Sequence, residues 1–95
     1  MKQTQYYFVY ILFCYGNGHL YIGFSSNYKQ RLLKHQQGKV TSTRKSLPVE
    51  LIYLEVFKNI KDAKSREVYL KSGNGRKQLK EMLKNTLIEK NYKYL

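Results

Sequence analysis

Cysteine is nearly absent from this chain: Cys14 is the only one in 95 residues, so no disulfide can form within it. This usage fits a reducing compartment, and we expect Cys14 to be a small strand residue rather than a nucleophile. Long hydrophobic runs are also missing. The apolar stretch 6–15 is about half of the roughly 20 residues that a membrane-crossing helix needs, and it lacks a small-residue cleavage site. The sequence therefore predicts a cytoplasmic protein with no membrane partner.

Acidic residues are scarce: six Asp and Glu against 18 Lys and Arg leave a net charge of +12. Such an excess opposes compaction through self-repulsion, so a polyanionic partner is a natural explanation. Nucleic acid is the leading candidate, because neutralising its phosphates releases counterions. A ribosomal or other RNA-bound protein, or a protein of an acidic membrane surface, is the alternative.

The scarcity of carboxylates also limits the metal chemistry that the chain can support. The acids are scattered and form no D-x-D pair: Glu50, Glu55, Asp62, Glu67, Glu81 and Glu89. A two-metal nuclease needs several carboxylates to hold ions about 4 Å apart. If a metal acts here, we expect one Mg²⁺-like ion on one carboxylate, completed by water and substrate phosphate.

Regular apolar segments are what the sequence does contain, and its 42% hydrophobic content is typical of a folded chain. We expect one domain over residues 1–95, with a core of about 6–84 and a short C-terminal tail. Strands are predicted at 6–14, 19–24 and 50–57, and helices at 27–37, at 60–71 and from 76 onward. This β-β-α-β-α-α order predicts an α/β (α+β) domain in which helices flank a three-stranded, mainly antiparallel sheet.

Local patterns give finer expectations about register and faces. A two-residue turn at Asn17-Gly18 pairs Cys14 with Tyr21, which puts Tyr10 and Tyr21 on one face but about 13 Å apart along the strand. Strict alternation in the third strand opposes two sets of residues: Leu51, Tyr53 and Glu55 against Ile52, Leu54 and Val56. The segment SGNG ends the second helix, and the last helix has one apolar stripe: Leu79, Met82, Leu83 and Leu87.

Glu67 breaks the hydrophobic pattern of the second helix. It falls on the same arc as Ile60, Ala63 and Leu70, which is the arc expected to face the core. A carboxylate in that position is costly unless a cation meets it. We therefore expect either a functional carboxylate or a salt bridge to a lysine or arginine at the domain edge.

The first helix has a second irregularity, because Arg31 and His35 share one face with Tyr28 and Leu32. Arginine grips phosphate with its planar fork. Histidine exchanges protons near neutral pH or donates to phosphate. The face therefore predicts a phosphate-binding pair, with a structural or solvated histidine as the alternative for His35.

The residues in order now resemble a known family. "VYIL" (9–12), "LYIG" (20–23), Arg31 and Glu67 resemble the GIY-YIG nuclease superfamily in order and spacing, over residues 6–84. "YIGFSSNYKQRLLKHQQGK" and "DAKSREVYLKSGNGRKQLK" look like the small stand-alone bacterial members. The chain departs from the family at Phe8, where the first motif has glycine, and at Phe24, where the nucleotide-excision-repair incision enzymes carry lysine. The resemblance implies an α/β domain with a central three-stranded antiparallel sheet.

The resemblance also assigns roles to residues. It implies that Glu67 binds one divalent metal ion, Mg²⁺ or Mn²⁺, and that Arg31 supports the scissile phosphate. Tyr21 matches the tyrosine that activates or orients water, and Tyr10 matches the second active-site phenol. His35 lies where members carry histidine or tyrosine, one turn after the arginine. Because the pKa of free tyrosine is near 10, a phenolate would need help from Arg31, the metal and lysines.

The implied function is a metal-dependent endonuclease that hydrolyses DNA, either structure-specific or weakly sequence-specific, on branched, nicked or flapped substrates. No recognisable helix-turn-helix, zinc finger or second DNA-binding domain would read bases. The basic residues expected to contact phosphate are Lys29, Lys39, Arg44, Lys45, Arg76, Lys77 and Lys80. Two alternatives stay open: a nucleic-acid-binding module that cuts little, and a subunit whose basic face serves another protein or a membrane.

Overall fold

The structure is a computed structural model that describes residues 4–95. Along these residues the elements are β1 (Tyr7–Cys14), β2 (Leu20–Ser25), α1 (Tyr28–Gln36), β3 (Val49–Phe57), α2 (Ile60–Lys71), α3 (Gly73–Met82) and α4 (Lys84–Glu89). β1 is the central strand and runs antiparallel to both β2 and β3. The predicted fold, a three-stranded antiparallel sheet flanked by helices, is therefore confirmed.

The sheet carries a separate apolar cluster on each face, because successive residues of β1 point to opposite sides. One cluster joins the sheet to α2, α3 and α4: Val9, Ile11, Ile22, Ala63, Leu70, Leu79, Leu83 and Leu87. The other lies under α1 and is built on Tyr10, Leu12, Cys14 and Val49, with Tyr21 and Leu32 packed against it. Cys14 is thus a buried strand residue. The second cluster is the one that holds the candidate site.

Helices α1 and α2 begin where their side-chain caps predict. The Asn27 side chain accepts a hydrogen bond from the backbone N–H of Gln30, and Asn59 accepts one from Lys61 in the same way. Gly38 follows α1 with a φ of +74°, a conformation that glycine adopts without strain. In the part of the chain from residue 4 onward, none of the helices is long and apolar enough to cross a bilayer.

The predicted register of the first hairpin is wrong by two residues. Tyr21 pairs with Leu12 rather than with Cys14, and Tyr10 pairs with Gly23. The connection is the longer loop 15–18, closed by a 2.9 Å hydrogen bond from the Cys14 N–H to the carbonyl of residue 19. This loop docks on the segment before β3, where the N–H of residue 16 donates to the carbonyl of residue 46 at 2.9 Å. The longer loop moves Tyr21 toward Tyr10.

The alternation predicted for β3 is also wrong, because the strand contains a β-bulge. Leu51 and Tyr53 pair with adjacent residues of β1, so Ile52 is an extra residue in the ladder. Ile52 and Tyr53 consequently both pack on the α2 side, while Leu51 and Leu54 both pack on the α1 side. A bulge shifts the faces without altering the apolar composition of the strand.

The SGNG segment begins a helix as well as ending one. Ser72 is the C-cap of α2 and the N-cap of α3, and its hydroxyl accepts from the Gly75 N–H at 3.1 Å. The last helix therefore starts at Gly73 and not at Arg76. Gly75 packs against the end of α2, where a Cβ would overlap the backbone.

The predicted single last helix is divided at Leu83 into α3 and α4. Leu79, Leu83 and Leu87 are buried as predicted, whereas Met82 is exposed. Because the helix is interrupted, the apolar stripe predicted for one continuous helix is not preserved, and Met82 does not belong to it.

Candidate active site

Tyr10 lies across Gly23 of the neighbouring strand. The two residues are directly paired, and a Cβ at Gly23 would overlap the phenol ring of Tyr10. Tyr10 is only 2% exposed. The glycine of the LYIG motif therefore provides the space in which the tyrosine of the VYIL motif lies.

A buried chain of hydrogen bonds continues from Tyr10 through α1 into the following loop. The Tyr10 hydroxyl is 2.9 Å from Nε2 of His35, and Nδ1 of His35 is 2.7 Å from the hydroxyl of Thr43. His35 is 0% exposed and Thr43 is 1% exposed. A neutral imidazole donates from one nitrogen and accepts at the other, so the two hydroxyls satisfy it completely. We call this set the Tyr10–His35–Thr43 chain.

Burial keeps the members of this chain uncharged. It is the main cause that raises the pKa of Tyr10 to about 12, with the charges of Tyr21 and Glu67 adding to it and Arg31 opposing it. Burial also lowers the pKa of His35 to about 4, helped by the positive charge of Arg31. At neutral pH, Tyr10 is therefore a protonated phenol and not a base, and His35 is a neutral imidazole without access to substrate.

Tyr21 lies beside Tyr10 rather than far along the strand. The centroids of the two rings are 6.2 Å apart, and the edge of His35 meets the Tyr21 ring at a centroid distance of 5.0 Å. Tyr21 is half-buried, so one side of its ring is accessible. The predicted gap of about 13 Å is absent because the hairpin register differs.

Arg31 is at the mouth of the site, one turn before His35 on α1. The polar contact with the Tyr10 hydroxyl is the main cause that raises the pKa of its guanidinium, and Tyr21 adds to the effect. The residue is half-buried. The positive charge of Arg31 and the phenols of Tyr10 and Tyr21 thus influence each other electrostatically.

Glu67 lies on α2, whose Ala63 and Leu70 pack on the opposite face of the sheet from Tyr10. Its carboxylate is nevertheless, through its negative charge, one of the smaller causes that raise the pKa of Tyr10. It also forms an ion pair of 3.1 Å with Lys71, one turn further along the helix, and the two side chains are 21% and 51% exposed. The salt bridge to a lysine, one of the two expectations for Glu67, is therefore present, and the functional role of this carboxylate stays a prediction.

The donors at the site fit one weakly held hard cation. Among residues 4–95 no three His, Cys, Asp or Glu side chains form a cluster that could hold a metal ion. The site instead offers one ionised carboxylate, while both nitrogens of His35 are hydrogen-bonded within the protein. Mg²⁺ keeps several waters and is often bound through one carboxylate plus substrate phosphate, which is the donor set expected of Glu67.

Four of the predicted phosphate-binding residues belong to the segments that build the site. Lys29 is on the first turn of α1, while Lys39, Arg44 and Lys45 are in the loop that contains Thr43. All four side chains are exposed. The loop therefore joins exposed positive charge to the buried Tyr10–His35–Thr43 chain.

The other three predicted residues have different neighbours. Arg76, Lys77 and Lys80 lie on α3, whose Leu79 packs in the cluster on the other face of the sheet. The charge of Arg76 acts on Tyr92, and Lys77 and Lys80 line a shallow groove. The structure does not bring these three together with Tyr10, Tyr21 and Arg31.

Two residues of the site were not singled out in the sequence. Lys71 follows Glu67 at i+4, and this spacing alone predicts an ion pair on a helix. Thr43 is one of several hydroxyl residues in the loop 39–48. Only the packing of that loop beneath α1 distinguishes it from its neighbours.

A family model described as the GIY-YIG catalytic domain matches residues 6–80. The chain therefore belongs to the GIY-YIG family of nuclease domains, as its motifs predict. It is 37% identical over 90 residues to a UPF0213 protein of Pediococcus acidilactici, covering 92% of this chain and 90% of that protein. Further similar UPF0213 proteins come from Clostridium perfringens, at 36% over 86 residues (90% and 91% covered), and Lactococcus lactis, at 41% over 87 residues (90% and 83% covered). No solved structure matches the chain.

Proposed function

We propose that this protein is a metal-dependent endonuclease that hydrolyses DNA phosphodiester bonds. The observation that carries the proposal is the packing of Tyr10 over Gly23 and beside Tyr21, with ring centroids 6.2 Å apart, on the sheet face against which α1 packs. Helix α1 carries Arg31, whose pKa is raised by both phenols. The charge of Glu67 acts on the same phenol. A cation for phosphate, a carboxylate for metal and two phenols are thus available to one substrate group.

Arg31 is the phosphate-binding residue in this proposal. Its planar fork suits two oxygens of one phosphate. Because it is half-buried, its charge is less screened than that of a surface lysine. It therefore stabilises the negative charge that develops on the phosphate in the transition state.

The two tyrosines have different tasks because their surroundings differ. Tyr21 is half-buried and accessible, so its hydroxyl is the one that orients the attacking water. Tyr10 keeps its proton, since its pKa is raised to about 12 mainly by burial. It donates or accepts hydrogen bonds within the site without taking a proton. His35 acts as a positioning residue for Tyr10.

Glu67 would hold one divalent cation, Mg²⁺ or Mn²⁺, with water and substrate oxygens as the other ligands. When bound, such an ion polarises the phosphate and lowers the pKa of a coordinated water. The Lys71 ammonium, which lies 3.1 Å from the carboxylate, would have to move away for the cation to bind.

The substrate is proposed to be DNA recognised by its backbone. Lys29, Lys39, Arg44 and Lys45 are exposed around the site and can meet phosphates on either side of the cleaved bond. Phosphate contacts fix position without reading sequence, so we expect structure-specific or weakly sequence-specific cleavage. Arg76, Lys77 and Lys80 would contact only parts of the DNA further from the cleaved bond.

Cleavage of labelled duplex, nicked, flapped and branched DNA with Mg²⁺ or Mn²⁺ tests the proposal. Glu67→Gln and Arg31→Gln should each lower the rate by about a hundredfold or more, because each removes transition-state stabilisation. Glu81→Gln on α3 and Lys34→Gln on α1 make the same charge changes at exposed positions. Cleavage that survives both site substitutions at the control rate would exclude this site.

A nucleic-acid-binding module that cuts little is the second candidate, and the Glu67–Lys71 ion pair favours it. If Lys71 holds the carboxylate permanently, wild-type protein binds DNA with steep salt dependence but releases no product with either metal. The Glu67→Gln substitution would then leave both binding and product unchanged.

A further inference from the structure

A polar cleft of about 390 Å³ lies at the hairpin end of the sheet. It is formed between the loop 15–18 and the chain segment after α4, and we call it the hairpin cleft. Its walls include Phe13, Tyr15, Lys90, Lys93 and Tyr94. None of the residues of the candidate active site lines it. Its size is within the range of cavities that bind small ligands.

Flat aromatic surfaces are accessible in and beside this cleft. Tyr15 is 48% exposed and Tyr94 is 45% exposed, although both are large hydrophobic side chains. The Tyr94 ring stacks on His19 with a centroid distance of 4.6 Å and an interplanar angle of 11°. Proteins that bind single-stranded nucleic acid use such accessible rings as platforms for unpaired bases.

The cleft also contains two lysines, of which Lys90 is held by other side chains and Lys93 is exposed. Lys90 is held by Glu50 at 2.6 Å and by the Tyr15 hydroxyl at 2.9 Å, so it fixes the Tyr15 ring. Lys93 is exposed, and within residues 4–95 the structure shows no ion pair for it. The exposed Tyr94 ring and the uncommitted Lys93 ammonium group match the base and the phosphate of one nucleotide.

The loop 39–48 connects the cleft to the active site. At one end Thr43 bonds to His35, and at the other the Ser46 hydroxyl accepts from the Asn17 side chain at 2.9 Å. Arg44 and Lys45 lie exposed between these two contacts. A strand that leaves the active site therefore finds phosphate-binding charge along this loop as far as the cleft.

We infer that the hairpin cleft binds an unpaired nucleotide of the substrate strand, so that the preferred substrate is DNA in which a single-stranded arm adjoins a duplex. The inference rests on the proposed function, because it takes the strand to start at the active site. The base stacks on Tyr94, and Lys93 meets the adjoining phosphate. Blunt duplex cannot supply such a base and loses this contribution.

Fluorescence anisotropy in EDTA measures binding without cleavage and compares a duplex that carries an oligothymidylate arm with the same duplex made blunt. Wild-type protein should bind the armed duplex more tightly. Tyr94→Ala should weaken that binding about fivefold to tenfold and leave the blunt duplex within about twofold, because only the arm has a base to stack. Tyr94→Phe keeps the ring and should restore tight binding.

Tyr6→Ala is the matched control, since Tyr6 is another exposed tyrosine beside a lysine, Lys58, at the opposite end of β1. In wild-type protein, the imidazole NMR signals of His19 should shift when oligothymidylate is added. Equal affinity for armed and blunt duplex, or His19 signals that do not move, would overturn the inference. Metal-dependent cleavage and its loss in Glu67→Gln are measured separately, so failure of the cleft leaves the nuclease proposal standing.

Discussion

The Tyr10–His35–Thr43 chain and the Glu67–Lys71 pair, two parts of the candidate site, differ in their physical state. The first is buried, uncharged and fully hydrogen-bonded. The second is partly exposed and is joined by a single charged hydrogen bond of 3.1 Å. A buried polar network is rigid because an unmade hydrogen bond is costly there, whereas an exposed ion pair is weak and exchanges readily. The Tyr10–His35–Thr43 chain can therefore fix the geometry of the phenol, while the Glu67 carboxylate can exchange Lys71 for another ligand.

Arg31 lies at the border between these two regions. It shares a face of α1 with His35, and its charge is one cause of the lowered pKa of that histidine. It also opposes the rise in the pKa of Tyr10 that burial produces. Burial is thus the main reason that His35 stays neutral, and the charge of Arg31 adds to it.

Acidification should destabilise the fold through the Tyr10–His35–Thr43 chain. The pKa of His35 is lowered to about 4 in the folded protein, mainly by burial, and it is near 6.5 in the unfolded chain. Between these values the unfolded chain binds more protons, so the free energy of unfolding rises with pH. The stabilisation is complete above about pH 6.5 and is lost as the pH falls toward about 4, by up to about 3 kcal/mol.

Urea unfolding at several pH values between about 7 and 5 measures this loss. His35→Gln should remove most of the pH dependence in that window, since paired carboxylates lose their contribution only below about pH 4.5. His19→Gln, which replaces an exposed histidine, should leave the dependence intact. A wild-type stability that is constant across the window would contradict a buried neutral His35.

Removal of the Thr43 hydroxyl should break the same chain at its far end. Thr43→Val keeps the shape of the side chain but leaves Nδ1 of His35 without a partner, which costs about 1–3 kcal/mol. Thr43→Ser keeps the hydroxyl and should cost less. Thr41→Val, at an exposed position of the same loop, is the control.

Two measurements separate the role of Thr43 in positioning from its role in packing. Denaturant unfolding gives the cost in stability, and ¹⁵N NMR of the imidazole reports which ring nitrogen carries the proton. We expect Thr43→Val to change the tautomer populations of His35 and Thr43→Ser to retain them. Equal effects of the two substitutions would assign Thr43 to packing alone.

Local chemistry was enough to predict the helices that carry the site. The predicted helices 27–37 and 60–71 agree closely with α1 and α2, because the caps Asn27 and Asn59 need only their own neighbours. Arg31 and His35 share one face of α1 for the same reason, and the antiparallel sheet followed from the strand pattern. These features depend on residues within a few positions of each other.

Contacts between distant segments decided what the sequence could not predict. The loop 15–18 is held by Ser46, about 30 residues away, and this contact accompanies the register that brings Tyr21 to Tyr10. The bulge at Ile52 has no signature in the apolar pattern. The complete burial of His35 likewise depends on Thr43, which is outside α1. The contacts among Tyr10, Tyr21 and His35 could therefore not be predicted from the sequence, and the roles of these residues stay predictions.

The smallest effect on stability is expected from Lys71→Gln, which removes the Glu67–Lys71 ion pair. The ion pair is partly exposed, so its loss should change the free energy of unfolding by less than about 1 kcal/mol. The same substitution removes a competitor from the Glu67 carboxylate, so Mn²⁺ should bind up to about fivefold more tightly. Titration of Mn²⁺ followed by electron paramagnetic resonance gives the affinity without any substrate.

Lys61→Gln is the control for Lys71→Gln, because it removes an equal charge from an exposed position of the same helix. A general loss of positive charge would improve Mn²⁺ binding equally in both variants, whereas a local competitor acts only through Lys71. Loss of Mn²⁺ binding in Glu67→Gln would assign the ion to that carboxylate. If Lys71→Gln instead costs as much stability as Thr43→Val, the Glu67–Lys71 pair is as rigid as the Tyr10–His35–Thr43 chain. The first would then not exchange ligands more readily than the second, and the comparison between them would not hold.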